Sequence, residues 1–247
     1  MIGAASSRAR DLGFGHLSHL LAHADDNMVL AQRLGEWISN APELEEDIAL
    51  GNFALDHLGV ARALYTHVTT IEGEGRTEDD LAMLRTEREY RNLLLVEQPN
   101  RDFAHTMVRS LLFDAYQVEL WSAMAESDDP DLAGIAGRAL KEARYHIRHS
   151  SAWVIRLGDG TTESHDRAQR AVDSLWRYTG EMFEAETAPL QDGWRRRVSD
   201  VLGEATLRLP EDQFQRSGGR QGMHTEHLGH LLAEMQSMQR SYPGLRW

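Results

Sequence analysis

Apolar residues recur at threes and fours along most of this chain, and no stretch of four to eight residues alternates with the β-branched enrichment of a strand. From His16 to Ile38 the series Leu17, Leu20, Leu21, Ala24, Met28, Ala31, Leu34, Ile38 predicts a first long helix. Asn40-Ala41-Pro42 interrupts it. A second helix follows, with Glu43, Glu45, Glu46 and Asp47 in or beside the first turn, where the helix dipole favours acids. It should run through Leu55, Leu58, Ala61 and Leu64 to about Ile71, where Gly73-Glu74-Gly75 ends it. A shorter helix is predicted from Thr77 to Tyr90, then a turn at Glu97-Gln98-Pro99-Asn100. Asp102 is placed to cap a third long helix through Met107, Leu111, Tyr116 and Trp121. Asp128-Asp129-Pro130 separates it from a fourth, Asp131 to Leu157, closed by Gly158-Asp159-Gly160. Further helices are predicted over 163–186, 192–207 and 225–241. Four long helices on short loops, with C-terminal helices added, define an all-α four-helix bundle.

Composition narrows the partners. Lys plus Arg number 26 against 39 Asp plus Glu, a formal charge of −13. So acidic a chain repels nucleic acid and anionic lipid. The absence of cysteine excludes disulfides, thiolate metal sites and Cys nucleophiles, and fits a reducing cytoplasm. No apolar run reaches the roughly 20 residues that span a bilayer. Residues 1–15 are short, polar and glycine-bearing and read as a disordered tail, and residues 16–247 as a single helical domain.

The helix pattern raises the question of a dimetal centre. Carboxylate-bridged bundle sites take Glu from two helices and Glu-x-x-His from each of two others, because i and i+3 share a face. The fourth helix carries Lys141-Glu142-Ala143-Arg144-Tyr145-His146, with the histidine one place late and so about 100° further round the helix. Candidate inward acids are Glu36, Asp56, Asp114 or Glu119, and Glu142. The residue three beyond Asp56 is Gly59. Only Asp102 has a histidine three places on, His105, and there a helix cap explains the acid. Glu36, Asp56, Asp114, Glu142 and His146 are therefore positions of a degenerate metal site. Glu142 and His146 form either an intrahelical pair or part of a buried remnant neutralised by His146 or Arg62. In Gly222-Met223-His224-Thr225-Glu226-His227-Leu228-Gly229-His230, Thr225 is placed to cap a helix, and Glu226 or His227 has metal-competent spacing to His230. The Trp residues 121, 153, 176 and 194 read as core, and Ser217-Gly218-Gly219-Arg220 as a loop.

Several blocks carry a family resemblance in one order: Gln32-Arg33-Leu34-Gly35-Glu36-Trp37, Ala41-Pro42-Glu43-Leu44-Glu45, Asn92-Leu93-Leu94-Leu95-Val96-Glu97-Gln98-Pro99-Asn100, Lys141 to His146, Gly222 to Gly229, and Leu231-Leu232-Ala233-Glu234-Met235-Gln236. Through them the chain resembles the C-subunit family of the bacterial phenylacetyl-CoA epoxidase (ring 1,2-monooxygenase) complexes. The resemblance implies a ferritin-like fold and a non-catalytic, structural subunit of phenylacetate catabolism that has lost its di-iron ligands. It implies as partners a homologous catalytic A subunit that carries the di-iron centre, a small B subunit, and a reductase that brings NADPH electrons through flavin and iron–sulfur groups. No cofactor is then expected in this chain. It implies CoA contacts just before the Asn92–Asn100 block, which fall on Glu89, Tyr90, Arg91 and Asn92. There Arg91 would meet a phosphate and Tyr90 an adenine; the other reading is an exposed loop with one anchor. The rival readings are a self-sufficient dimetal oxidase and a ferritin-type storage bundle. Self-association as a homodimer stays open.

Overall fold

A computed structural model describes residues 16–211 and 214–244, so the predicted tail lies outside the described residues. All regular structure among them is helical. We number α1 Leu17–Gly35, α2 Leu44–Glu72, α3 Glu78–Met83, α4 Phe103–Met124, α5 Pro130–Gly158, α6 Thr162–Leu175, α7 Gln191–Glu204, α8 Glu226–Met235 and α9 Ser237–Ser241. Short 3₁₀ turns fill Trp176–Leu190 between α6 and α7.

The chain divides into two compact units. One is made of residues 16–99 and 218–244, the other of residues 100–217. In the first, α1 and α2 pair as a long hairpin, and the C-terminal segment returns to join it. In the second, α4 and α5 form an equivalent hairpin, joined by α6 and α7. Each unit contains one helix buried all round. On α1 every residue from Ala22 to Ala31 is buried, and on α4 every residue from Ala104 to Val118. A helix without a solvent face must bury its polar residues too, and that fact positions the chemistry described below.

Local signals set most boundaries. Asp129 caps α5 through the backbone N–H groups of Asp131 and Leu132, with Pro130 in the first turn. Thr77 with Asp80 and Thr161 with Ser164 form capping boxes for α3 and α6. Asp102 accepts from the His105 N–H at 2.8 Å, as its position predicts. Gly73, at φ 66°, ends α2 in the left-handed conformation. Gly158 is required where α5 meets the end of α7: a Cβ there would lie 2.1 Å from the Ala205 carbonyl oxygen.

Three predicted helices are shorter than their periodicity suggests. The helix predicted to Tyr90 stops at Met83, because the Arg85 guanidinium turns back onto the Leu81 carbonyl and Tyr90 and Gln236 both donate to that of Ala82. The stretch predicted to reach Glu186 leaves the α conformation after Leu175. There Trp176 and Phe183 turn inward against Trp194, with ring centroids 5.5 and 5.0 Å away. The last helix breaks at Gln236, whose buried amide donates to the carbonyls of Ala82 and Arg85.

Candidate functional site

In the unit containing α1, two adjacent aspartates form the chemical centre. Asp25 and Asp26 are wholly excluded from solvent. Two buried anions are tolerable only with partners, and the unit supplies them from three separate stretches of chain. The Arg85 guanidinium grips both Asp25 oxygens, Tyr65 donates to Oδ1 at 2.6 Å, and the Arg91 N–H to Oδ2 at 2.8 Å. The Arg220 fork takes both oxygens of Asp26 at 3.0 and 2.7 Å, and the Leu93 N–H adds a bond of 2.7 Å. Burial works against ionisation of Asp26, but Arg220 and the nearby His23 outweigh it and hold the carboxyl below its ordinary value. Tyr65 is pushed well up, chiefly by burial and then by the negative charge of Asp25.

A third buried acid, Glu97, completes this network. It receives the Thr225 N–H at 2.7 Å and the Asn92 amide at 3.1 Å, and pairs with His224 Nδ1 at 2.9 Å. Arg33 donates to the Glu97 carbonyl and to that of His227. Gly222, at φ 78°, allows the chain to reach His224, since a Cβ there would sit 2.3 Å from the Arg88 carbonyl oxygen. The network therefore ties the irregular segment 84–98 and the returning segment 218–227 to α1.

These contacts bear on the predicted CoA-contact residues. Tyr90 is buried to 0 % exposure with Arg85 stacked 4.4 Å from its ring, so the ring has no face open for an adenine. Asn92 is equally buried and bonded to Glu97. The Arg91 guanidinium donates to the carbonyls of Arg88 and Tyr90, and Glu89 is exposed and closes on Thr86. The four residues thus form a structural turn in this conformation. Thr225 begins α8 without a side-chain cap, correcting the expected role of its hydroxyl; the Thr225 N–H is taken by Glu97 instead. Glu226 and His230 are exposed.

The degenerate metal-site positions separate into two groups. Glu36 follows the last turn of α1, is exposed and bonds Arg33 at 2.6 Å, so it is not an inward acid. Asp56 is half-buried, while its neighbour His57 is fully buried and meets the Asn27 side chain at 2.8 Å. Arg62 is exposed and pairs with Glu78, and Glu119 is half-buried against Arg197 at 3.0 Å. In the unit of α4, Asp114 and His146 are both buried and interact electrostatically. Ser150, one turn beyond His146, donates to Asp114 Oδ2 at 2.7 Å. Burial raises the Asp114 carboxyl to about 6, with His146 and Ser150 opposing the rise. Glu142 is half-buried, and Tyr145, which stands where a Glu-x-x-His motif would place its histidine, is 54 % exposed.

The donor set of neither unit fits the paired Glu-x-x-His pattern of a carboxylate-bridged dimetal centre. Gly59 and Tyr145 stand at the two positions where the histidines are needed. The network of Asp25, Asp26, Arg85 and Arg220 was not legible from spacing. Its one local signal is a pair of adjacent acids in the middle of a helix whose apolar positions recur on either side of them.

The helical fold and the buried polar centres describe a ferritin-like protein that keeps acids in its helices without the usual ligand spacing. Residues 8–247 match the family described as phenylacetic acid catabolic protein, and the chain belongs to that family. It is 46 % identical over 244 residues to the C subunit of the 1,2-phenylacetyl-CoA epoxidase of Escherichia coli (strain K12). That similarity covers 93 % of this chain and 98 % of that protein. Among the described residues, no helix is long and apolar enough to cross a membrane.

Proposed function

We propose that this chain is a non-catalytic, structural subunit of a multicomponent phenylacetyl-CoA epoxidase, supporting a homologous catalytic subunit that carries the di-iron centre. The B-type subunit and the reductase, with its NADPH, flavin and iron–sulfur chemistry, belong to the same reading, as does a cytoplasmic location. Its support is the near full-length similarity to the C subunit of such an enzyme, together with a donor set that lacks both Glu-x-x-His pairs.

The observation that carries the docking role lies on α2. This helix buries Leu50, Phe53, Ala54, His57, Val60, Ala61, Leu64 and Val68 on one side, yet it is apolar on the other as well. Leu44, Ile48 and Leu55 are 71, 56 and 65 % exposed, and Leu58 continues their line. Ile38 lies over Gly51, 3.8 Å from where a Cβ would sit, and fills the gap in that line. The spacing 44, 48, 51, 55, 58 makes one seam of the kind that receives a partner helix. A contiguous apolar seam on a protein with net charge −13 is a binding surface rather than a solvated face.

The test is co-expression with a catalytic subunit of the family, followed by size exclusion and elemental analysis. Wild-type chain should co-elute with that subunit, and purified alone it should lack stoichiometric iron. Ile48→Glu combined with Leu55→Glu changes only exposed positions and should weaken association at least about 100-fold with helix content unchanged. Unchanged co-elution of the double variant would refute docking through α2. About two irons per isolated chain would instead restore the rival oxidase reading.

A further inference from the structure

We propose that the unit of α4 to α7 carries a separate anion site, a cleft that takes a small phosphorylated molecule bearing at least two negative charges. The cleft has a volume of about 490 Å³ and is lined by Arg101, Asp102, His105, Arg167, Arg170, Asp173 and Arg177, with Ala171 and Ser174 between them. Its size is that of a small-molecule pocket.

Four guanidinium groups around one opening stand out in a chain whose acids outnumber its bases by 13. Arg167 is engaged by Glu163 at 2.7 Å and lies 4.0 Å from Asp102. Among the described residues no ion pair joins Arg101, Arg170 or Arg177 to a carboxylate. Three forks that carry no ion pair among the described residues, gathered in one concavity, repel each other, an anion between them relieves that repulsion, and the planar fork matches phosphoryl oxygens in pairs.

His105 supplies a second, independent observation. It lines the same cleft and is only 5 % exposed, and its Nδ1 is sealed from solvent without a hydrogen-bond partner. Buried polar atoms are nearly always bonded, so an orphan in a charged cleft marks a group that is missing its ligand. Burial, reinforced by the positive charges of Arg109 and Arg101, pushes the imidazole down to about 3. An incoming anion would offset those arginine charges and raise the value. The concave shape favours a compact polyanion over an acidic protein surface, which would need a broad flat face.

The probe is sodium pyrophosphate, titrated calorimetrically into the full chain at constant ionic strength set with chloride. Saturable one-to-one binding is expected. It should weaken at least about tenfold in the Arg170→Ala, Arg177→Ala double variant, whose altered side chains are exposed and whose thermal unfolding should be unchanged. Histidine resonances should show His105 titrating higher with pyrophosphate than without. No saturable binding, or equal binding by the double variant, would overturn the site. So would tight binding of poly-glutamate that pyrophosphate does not displace, since the cleft would then serve an acidic polypeptide.

Discussion

Asp26 on α1 and Asp114 on α4 occupy comparable places, each deep in the fully buried helix of its unit, yet they are pushed in opposite directions. Asp26 has a bidentate arginine, a backbone amide and a histidine nearby, and is held ionised. Asp114 has one hydroxyl and the influence of His146, and burial wins. The difference teaches that burial alone does not set the state of an acid in this fold. A guanidinium brought from far along the chain does.

The comparison breaks hardest at Arg220. Replacing it by Met would leave Asp26 buried without its cation and should cost about 3–5 kcal/mol in chemical denaturation. Adding Asp26→Asn should recover much of that loss, because the uncompensated charge is gone. A loss under about 1 kcal/mol for Arg220→Met would show that the pair does not hold the segment 218–227 in place.

The next effect is one of sign against pH. The Asp114 carboxyl is raised in the folded chain, so its contribution is fully present below the unfolded value of 3.8 and is lost as pH climbs to about 6. The loss amounts to about 3 kcal/mol by the size of the shift. Asp26 is lowered, so its contribution exists above 3.8 and disappears as pH falls through its folded value. Asp114→Asn should therefore gain stability over wild type at pH 7.5 relative to pH 4.5, read from urea midpoints. Equal midpoint shifts at both pH values would sink this account. The smallest expected effect is that of Ser150→Ala, about 1 kcal/mol, with the Asp114 titration moving further upward because a bond to the ionised form is lost.

The long helices α1, α2, α4 and α5 were legible because apolar spacing, caps and glycine stops all act locally. The early ends at Met83, Leu175 and Gln236 were not. Each is set by side-chain contacts to carbonyls or rings outside the helical repeat, some of them as distant as Gln236 to Ala82 across 154 positions. The candidate site divides in the same way. That Gly59 and Tyr145 interrupt the Glu-x-x-His spacing is visible in one line of sequence. The bonds from Arg85 and Arg220 to the aspartates span 60 and 194 positions, and no periodicity encodes them.

The 194-residue reach of Arg220 also fixes an order of events in time. A chain emerging from the ribosome can match Asp25 once residues 65–91 are out, whereas Asp26 stays without its arginine until residue 220 has been made. Residues 100–217 form one uninterrupted stretch and can settle as they appear, whereas the unit that begins earlier must finish last. A nascent chain stalled before Gly218 should hold α1 exposed to proteases, and emergence of residues 218–244 should close it.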